Sequence, residues 1–483
     1  MAYSNFAHTP GAADVPAGEE LISDQIWDQH PENPYNWSNG SKAVHVMMLS
    51  LVSFLSKPQL IDSSSIAASI VTPAVTHLGI HFGIASRTTI ILTLTVYVIA
   101  LAFGPVIGGP LSEALGRQWI YRGSVFSGAL FTIGAARAPN FAALCFFRFL
   151  AGFCWGPTMA IAVGSCSELL RPEKRGPASG LVVLMGFLGP GLGPVIGAYA
   201  VSKQSWQWTQ YILLIISAAA FLLTLFSKET FHPIIRHRLA GKKSLSRTAY
   251  LRHLFSVSFF RPIRMLLLEP IVTLICLYVA VGFGILFSFF AAVPYVFMLV
   301  YGFDIEQCGL VFLAVVIGCI LGLLTIILCD KLLYQPRVKN YAPQLVPPEH
   351  RLYGAMVGSL ILPVGLFWFG WSAGRGASWA SPATAIVLFA WGNICIFIST
   401  FHYKGDVYQP GVLASAASAN SLARYGFAAA FPLFTIQMYQ KLGIEWASSL
   451  LGLISLIMLP VPWIFFKFGQ GIRERSKYDT IKY

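Results

Sequence analysis

TTIILTLTVYVIALAFGPVIGGPLSEALGR, residues 88–117, reads as a helix long enough to cross a membrane, followed by a polar turn. From Thr88 to Ser112 it holds no Asp, Glu, Lys or Arg. A bilayer-crossing helix needs about 20 mostly apolar residues. Working outward, 176–202, 204–227, 307–329, 352–374, 376–403 and 446–466 are equally free of charge. So is 270–303, whose length suits one tilted or extended helix. Four further apolar stretches carry a charge: 44–70 with Lys57 and Asp62, 119–136 with Arg122, 141–169 with Arg148, and 410–440 with Arg424. The sequence therefore predicts an all-α polytopic membrane protein with twelve transmembrane helices.

Composition agrees. Of 483 residues, 56% are hydrophobic and 11% charged, against roughly a quarter charged in a soluble domain. The mean hydropathy is +0.66. These values exclude a soluble enzyme, a secreted disulfide scaffold and a disordered chain. The net charge of +13 is spread thinly between apolar stretches, so no nucleic-acid partner is expected. The eight cysteines form no CxxC pair and read as small buried hydrophobes. The histidines make no metal cluster, so neither metal nor cofactor is expected. No phosphate-binding loop appears, which argues against ATP-driven work.

Charge bias sets the orientation. With both termini in the cytoplasm, Arg87, Arg137, Lys203, Arg375 and Lys441 fall outside, Lys57, Arg148 and Arg424 lie within spans, and every other Lys or Arg faces the cytoplasm. That is a strong positive-inside pattern. The segment between spans six and seven carries basic residues including Arg236, Arg238, Lys242 and Lys243, whose charge suits topology and lipid headgroups. The expected organisation is a cytoplasmic tail over 1–42, a six-helix bundle over 43–227, a basic cytoplasmic linker over 228–264, a second six-helix bundle over 265–467 and a cytoplasmic tail over 468–483. Residues 1–39 lack a positively charged leader, so no signal peptide is read there.

Some residues need a reason beyond spanning. Arg148 is a permanent cation in an apolar run, with Gly152 and Gly156 below it on the same helix face. Such a charge faces a cavity or partner, or snorkels to the surface. Gly189-Pro190, Gly193-Pro194 and Gly197 form a stripe of small and kinking residues that permits a bent, closely packed helix. Glu113 and Arg117 stand four apart at the cytoplasmic end, where they could pair; Glu168 could join them. Asp62 and Glu269 are candidate proton carriers, with Asp406 and Glu168 behind them, since a sheltered carboxylate has its pKa raised. A helix-start acid such as Glu269 could equally act as a cap. Phe287, Phe290, Tyr295, Asn420 and Arg424 offer the mixed aromatic and polar lining that an amphipathic solute requires.

The ordered set of motifs resembles the major facilitator superfamily, in particular its fungal drug:proton antiporter group with twelve spans. Gly109 to Arg117 is similar to the Gly-x-Leu-Ala-Asp-x-x-Gly-Arg loop, with Ser112 for Ala and Glu113 for Asp. Arg148, Gly152 and Gly156 resemble the span-four signature, and Gly189-Pro190 to Gly197 the antiporter signature of span five. Pro31-Glu32-Asn33-Pro34, Asn36-Trp37, Glu229-Thr230, Glu269-Pro270, Arg351-Leu352 and Ala419-Asn420-Ser421 with Arg424 extend the resemblance over most of the chain. The loop departs from the pattern at Ala114, where a basic residue is common.

The resemblance implies a multidrug, polyamine or toxin exporter working by alternating access in two six-helix bundles, not an enzyme. Arg148, with Asp62 and Glu269, would serve proton coupling. Gly109, Glu113, Gly116, Arg117, Glu168 and Arg175 would form the cytoplasmic gate, and the Gly-Pro stripe would bend and seal the path. The expected partners are small organic solutes, protons and membrane lipids, acting on a functional monomer in a fungal plasma membrane. A facilitator or proton symporter for an organic solute, and a receptor that does not transport, are the alternatives.

Overall fold

The computed structural model describes residues 24–55, 66–170, 172–240, 259–341, 346–375, 377–408, 410–476, 478 and 480. Helix dominates throughout. A tail helix α1 (Asp24–Gln29) precedes α2 (Asn39–Leu55), α3 (Ile66–Ser69) and α4 (Val75–Phe82). The long helices α5 (Arg87–Leu115), α6 (Arg117–Ala136), α7 (Phe141–Leu169), α8 (Pro172–Lys203) and α9 (Trp208–Phe226) complete the first half. Then come α10 (His232–Leu239) and α11, helical over 259–268. The second half holds α12 (Pro270–Tyr301), α13 (Ile305–Val311), α14 (Leu313–Cys329), α15 (Gln335–Val338), α16 (Tyr353–Gly374), α17 (Ala380–Val407), α18 (Pro410–Met458) and α19 (Pro460–Glu474).

Local chemistry fixes the turns. Gly302 ends α12 with φ +67, a conformation other residues rarely adopt. Two residues later Asp304 and Gln307 form a capping box that starts α13. Within α18, Gly443 (φ 78, ψ 168) breaks the helix into two arms.

Eight helical stretches among the described residues are long and apolar enough to cross a membrane: Arg87–Gly109, Phe141–Thr158, Trp208–Phe226, Pro270–Tyr301, Ile305–Val338, Pro348–Gly374, Ala380–Val407 and Ser415–Glu474. The sequence predicts twelve. The difference has local causes. The expected span at 44–70 crosses residues outside the described set, and those at 410–440 and 446–466 fall within one stretch that turns at Gly443. The expected spans at 119–136 and 176–202 correspond to α6 and α8, which are helical but not among the eight.

Outward faces are apolar. Phe126, Leu130 and Ile133 on α6, and Ile215, Leu222 and Phe226 on α9, stand exposed at helical spacing, the inverse of a water-soluble helix. The chain is a multi-pass integral membrane protein.

Small residues hold the helices together where no water exists to drive apolar association. Gly104 of α5 and Gly156 of α7 lie so close that a methyl group on either would strike the other's backbone. Gly358 and Gly392 repeat this arrangement between α16 and α17. The halves meet where Thr95 Oγ1 of α5 donates to the Ala429 carbonyl of α18 at 3.2 Å, and where Gly309 of α13 packs on Pro194 and Ala198 of α8. Lys203 and Ser202 reach Glu306 at 3.2 and 2.6 Å at the end of the latter contact.

Candidate functional site

Arg148 is buried, 2% exposed, in α7. Its Nη1 donates to the Ala67 carbonyl at 2.8 Å and its Nε to the Thr93 carbonyl at 3.4 Å, while the guanidinium lies 4.7 Å from the centre of the Tyr97 ring. Its Nη2 is buried without a hydrogen-bond partner. The snorkelling alternative is therefore not what the structure adopts. Carbonyl dipoles and a π face offset part of the desolvation cost of the charge. Arg148 lines a small, roughly water-sized cavity with Tyr97, Thr132, Trp155, Gln210 and Ser217.

A larger, partly open cleft lies between the halves. Thr72, Arg87, Thr93 and Pro194 line it from the first half, and Phe290, Tyr295, Phe312 and Pro432 from the second. Thr93 lines this cleft, and its carbonyl accepts from Arg148.

At the far ends of these helices lie two ion-paired clusters. In the first half, Arg117 opens α6 and pairs with Glu168 near the end of α7 at 2.9 Å. Its Nη1 also donates to Ser112 Oγ at 2.5 Å, and the guanidinium lies over Phe231. Glu229 accepts from the backbone N–H of Arg117 and Gln118 at 2.9 and 3.2 Å, filling donors that a helix start leaves open. Gly116 makes this possible. It sits at φ +96, and a Cβ there would strike Glu229 Oε2. Thr230 Oγ1 donates to Glu168 at 3.1 Å, and His232 Nε2 lies 2.9 Å from the Glu168 carbonyl. Burial pushes the Glu113 carboxyl above its usual range; nearby Arg117 opposes this and Glu168 reinforces it. Burial likewise holds His232 below the ordinary histidine value, against the pull of its contact with Glu168.

In the second half, Arg351 Nε donates to Asp406 at the end of α17 at 2.8 Å, and its Nη1 lies 3.7 Å from Asp330. The Tyr334 ring stacks 3.9 Å from its guanidinium. Glu349 pairs with Arg473 of α19 close by.

The sequence profile of the Major Facilitator Superfamily matches residues 63–432. The chain belongs to the Major Facilitator Superfamily. It is a secondary transporter. It is 34% identical over 491 residues to the citrinin biosynthesis cluster MFS transporter mrr1 of Monascus ruber, covering 97% of this chain and 95% of that one. It is 32% identical over 492 residues to polyamine transporter 4 of Saccharomyces cerevisiae, covering 94% and 73%. Among solved structures, a D-xylose-proton symporter superposes with a TM-score of 0.63 at 14% identity, over 88% of this chain and 97% of that one. That likeness is one of fold.

On this superfamily fold the expected site residues separate into groups. Phe290 and Tyr295 line the cleft. Phe287 does not: it is buried inside the second half between Phe283 and Phe290. Asn420 and Arg424 are also buried there, with the Arg424 guanidinium over Phe283, Phe397 and Tyr425. Glu269 occupies the N-cap of α12 but makes no side-chain cap bond. Instead Tyr408 OH donates to its Oε1 at 3.1 Å, and its Oε2 is buried without a hydrogen-bond partner. Lys57 and Asp62 lie outside the described residues, and Arg175 lies in α8 with its side chain outside them. Gly193 and Gly197 press on Ser69 and Ile70 of the α3 region, and Ser69 Oγ donates to the Gly189 carbonyl at 3.1 Å. Pro190 is buried beside them, and Pro194 lines the cleft. A Cβ on Gly109 would meet open space.

Three residues take roles in the fold that the sequence did not assign to them. Glu229 binds the start of α6, Asp406 holds Arg351, and Gln210 lines the Arg148 cavity. Glu229-Thr230 and Arg351-Leu352 belong to the family-like motifs, which was the available signal for two of them. Gln210 carries none. Among the described residues no group of His, Cys, Asp and Glu could hold a metal ion.

Proposed function

We propose that the protein is a proton-coupled antiporter that exports amphipathic organic solutes, such as drugs, fungal toxins or secondary metabolites, by alternating access. The observation that carries this reading is the position of Arg148, a buried cation whose Nε bonds a residue of the cleft between the halves. A change of charge or solute near it alters the relative stability of the two access states. Similarity to a transporter of a fungal biosynthesis cluster supports the solute class.

In this reading the architecture is twelve spans in two six-helix bundles, 43–227 and 265–467. α2 with α3 and α4 supplies the first span, and the two arms either side of Gly443 supply separate ones. Both termini and the basic linker 228–264 face the cytoplasm of a fungal plasma membrane. This puts the Arg117–Glu168 and Arg351–Asp406 clusters on the cytoplasmic side and the cleft towards the outside. Arg148, Asp62 and Glu269 serve proton coupling. Gly109, Glu113, Gly116, Arg117, Glu168 and Arg175 form the inner gate. The Gly189–Gly197 stripe seals the path, and Phe290 and Tyr295 contact solute, with Phe287, Asn420 and Arg424 supporting them.

The test is solute-dependent proton release from acidified inside-out vesicles, with vesicles lacking the protein as control. Antiport gives release that needs both solute and pH gradient. Arg148→Ala should lower it roughly tenfold while the folded protein still reaches the membrane. Solute flux with no proton release overturns antiport.

A further inference from the structure

We propose that Tyr408, pinned by the C-terminal tail, is the positioning residue for proton exchange at Glu269; this rests on the transport reading above. An acid at a helix start normally turns its oxygens onto the open N–H groups of its own helix. Glu269 stands at the N-cap of α12 and makes no such bond. Its side chain crosses to the end of α17 instead, where Tyr408 OH donates to Oε1 at 3.1 Å, 139 residues along the chain. Both residues are 1% exposed. A phenol donating to a carboxylate in so dry a place fixes the carboxyl's orientation and favours its ionised form.

Tyr408 is itself held from outside its helix. It follows the last residue of α17, its backbone is extended, and it forms an antiparallel bridge with Thr480 of the tail. Two residues earlier in the tail, the Tyr478 ring centre lies 5.8 Å from the Arg261 guanidinium of α11. Ser476 Oγ accepts from the Tyr478 N–H and donates to its carbonyl, at 3.2 Å each. The tail is thus anchored on both sides of the pair: on α11, which leads into Glu269, and on the tyrosine that holds it. Three segments remote in sequence converge on one carboxyl. The titratable neighbours of the pair are Tyr403 at the end of α17 and Cys276 in α12, and Lys404 and Arg424 lie within electrostatic reach of Cys276. Both cations are buried, at 2% and 0% exposure, and they too favour an ionised carboxylate. Removing the tyrosine therefore shifts the protonation balance without abolishing it.

The experiment follows Glu269 directly and needs no solute. Infrared difference spectra of the full-length protein in lipid nanodiscs are titrated between about pH 4 and 9. The protonated-carboxyl band that vanishes in Glu269→Gln belongs to this residue; Glu269→Asp, which moves the band instead, gives a second assignment. In Tyr408→Phe the midpoint of that band should move to higher pH by about one unit, because the donor that favours the carboxylate is gone. A chain ending at Ser476 should move it the same way by less. Unfolding midpoints taken alongside separate loss of fold from loss of positioning, and the shortened chain keeps the test open if Tyr408→Phe does not fold. Coincident titrations in the wild type and Tyr408→Phe overturn the inference, as does a wild type with no titrating band assigned to Glu269. A shift in Tyr408→Phe with none in the shortened chain overturns the pinning by the tail. Each of these outcomes leaves the transport reading intact. Failure of that reading shows separately, as a wild type without solute-dependent proton release, and removes this inference with it.

Discussion

In the first half, Arg117 and Glu168 pair with their side chains 12% and 16% exposed; in the second, Arg351 and Asp406 pair at 27% and 34%. Each pair ties the start of one long helix to the end of the next, so the two halves use a common plan. The environment differs. Arg117 is held by two bonds to Glu168, one to Ser112 and a ring face, while Glu229 caps its helix start. Arg351 has Asp406, the more distant Asp330 and the Tyr334 ring. Water screens the second pair more, and screened pairs contribute little. The dry interaction of the second half lies instead between Glu349 and Arg473, at 9% and 8% exposure. Glu349 rests against Gly469 as Glu229 rests against Gly116. Each half thus has one sheltered glutamate fitted to a glycine, but one holds a helix start and the other a side chain of the last helix.

The strongest test removes the driest contact. Glu349→Gln leaves Arg473 buried opposite a neutral group and should destabilise the protein by about 3–5 kcal/mol, read as a lower midpoint of thermal unfolding in detergent. Replacing both residues with apolar ones of similar size should recover most of the loss. A smaller loss than that of Asp406→Asn would reverse the ranking of sheltered over screened pairs.

The middle of the range sharpens the contrast between halves. Glu168→Gln keeps the shape but removes a charge that receives Arg117 and Thr230, with an expected cost of about 2 kcal/mol. Asp406→Asn should cost about 0–1 kcal/mol and should matter less still in high salt. Equal losses, with equal salt dependence, would show that the difference in exposure does not govern these pairs.

The sequence offered Glu113 as the first partner of Arg117, with Glu168 joining them; in the fold Arg117 pairs with Glu168. Glu113 and Arg117 stand four apart, and on one continuous helix that spacing puts them side by side. The helix is not continuous: α5 ends at Leu115, Gly116 takes φ +96, and Arg117 begins α6 in a new direction. Arg117 then meets Glu168, 51 residues away, a distance no periodicity reports. By contrast, the long apolar helices were legible because length and charge-free composition are local properties. Arg148 was legible because a cation in such a run is conspicuous. Its neighbours were not, since the cavity assembles Tyr97, Thr132 and Gln210 from three other helices. Within α12, Phe290 and Tyr295 face the cleft while Phe287 turns into the second half, a distinction that depends on helix rotation.

The smallest effect concerns His232, which belongs to the first half alone. Its Nε2–H donates to the Glu168 carbonyl, and the rings of Trp27 and Tyr35 pack against it at 5.5 and 4.9 Å. Burial lowers its pKa, Arg236 lowers it further, and Glu168 and Asp28 work against both. On acidification the unfolded chain therefore takes up its proton first, below about pH 6.5, while the folded protein keeps the ring neutral. The unfolded state then binds more protons, so stability falls as pH falls through that window. His232→Asn retains a donor for the carbonyl but cannot titrate. The unfolding midpoint of the wild type should drop more than that of the variant between about pH 7.5 and 5.5. Equal drops would mean that the first-half cluster owes nothing to a neutral imidazole, and a larger drop in the variant would reverse the sign.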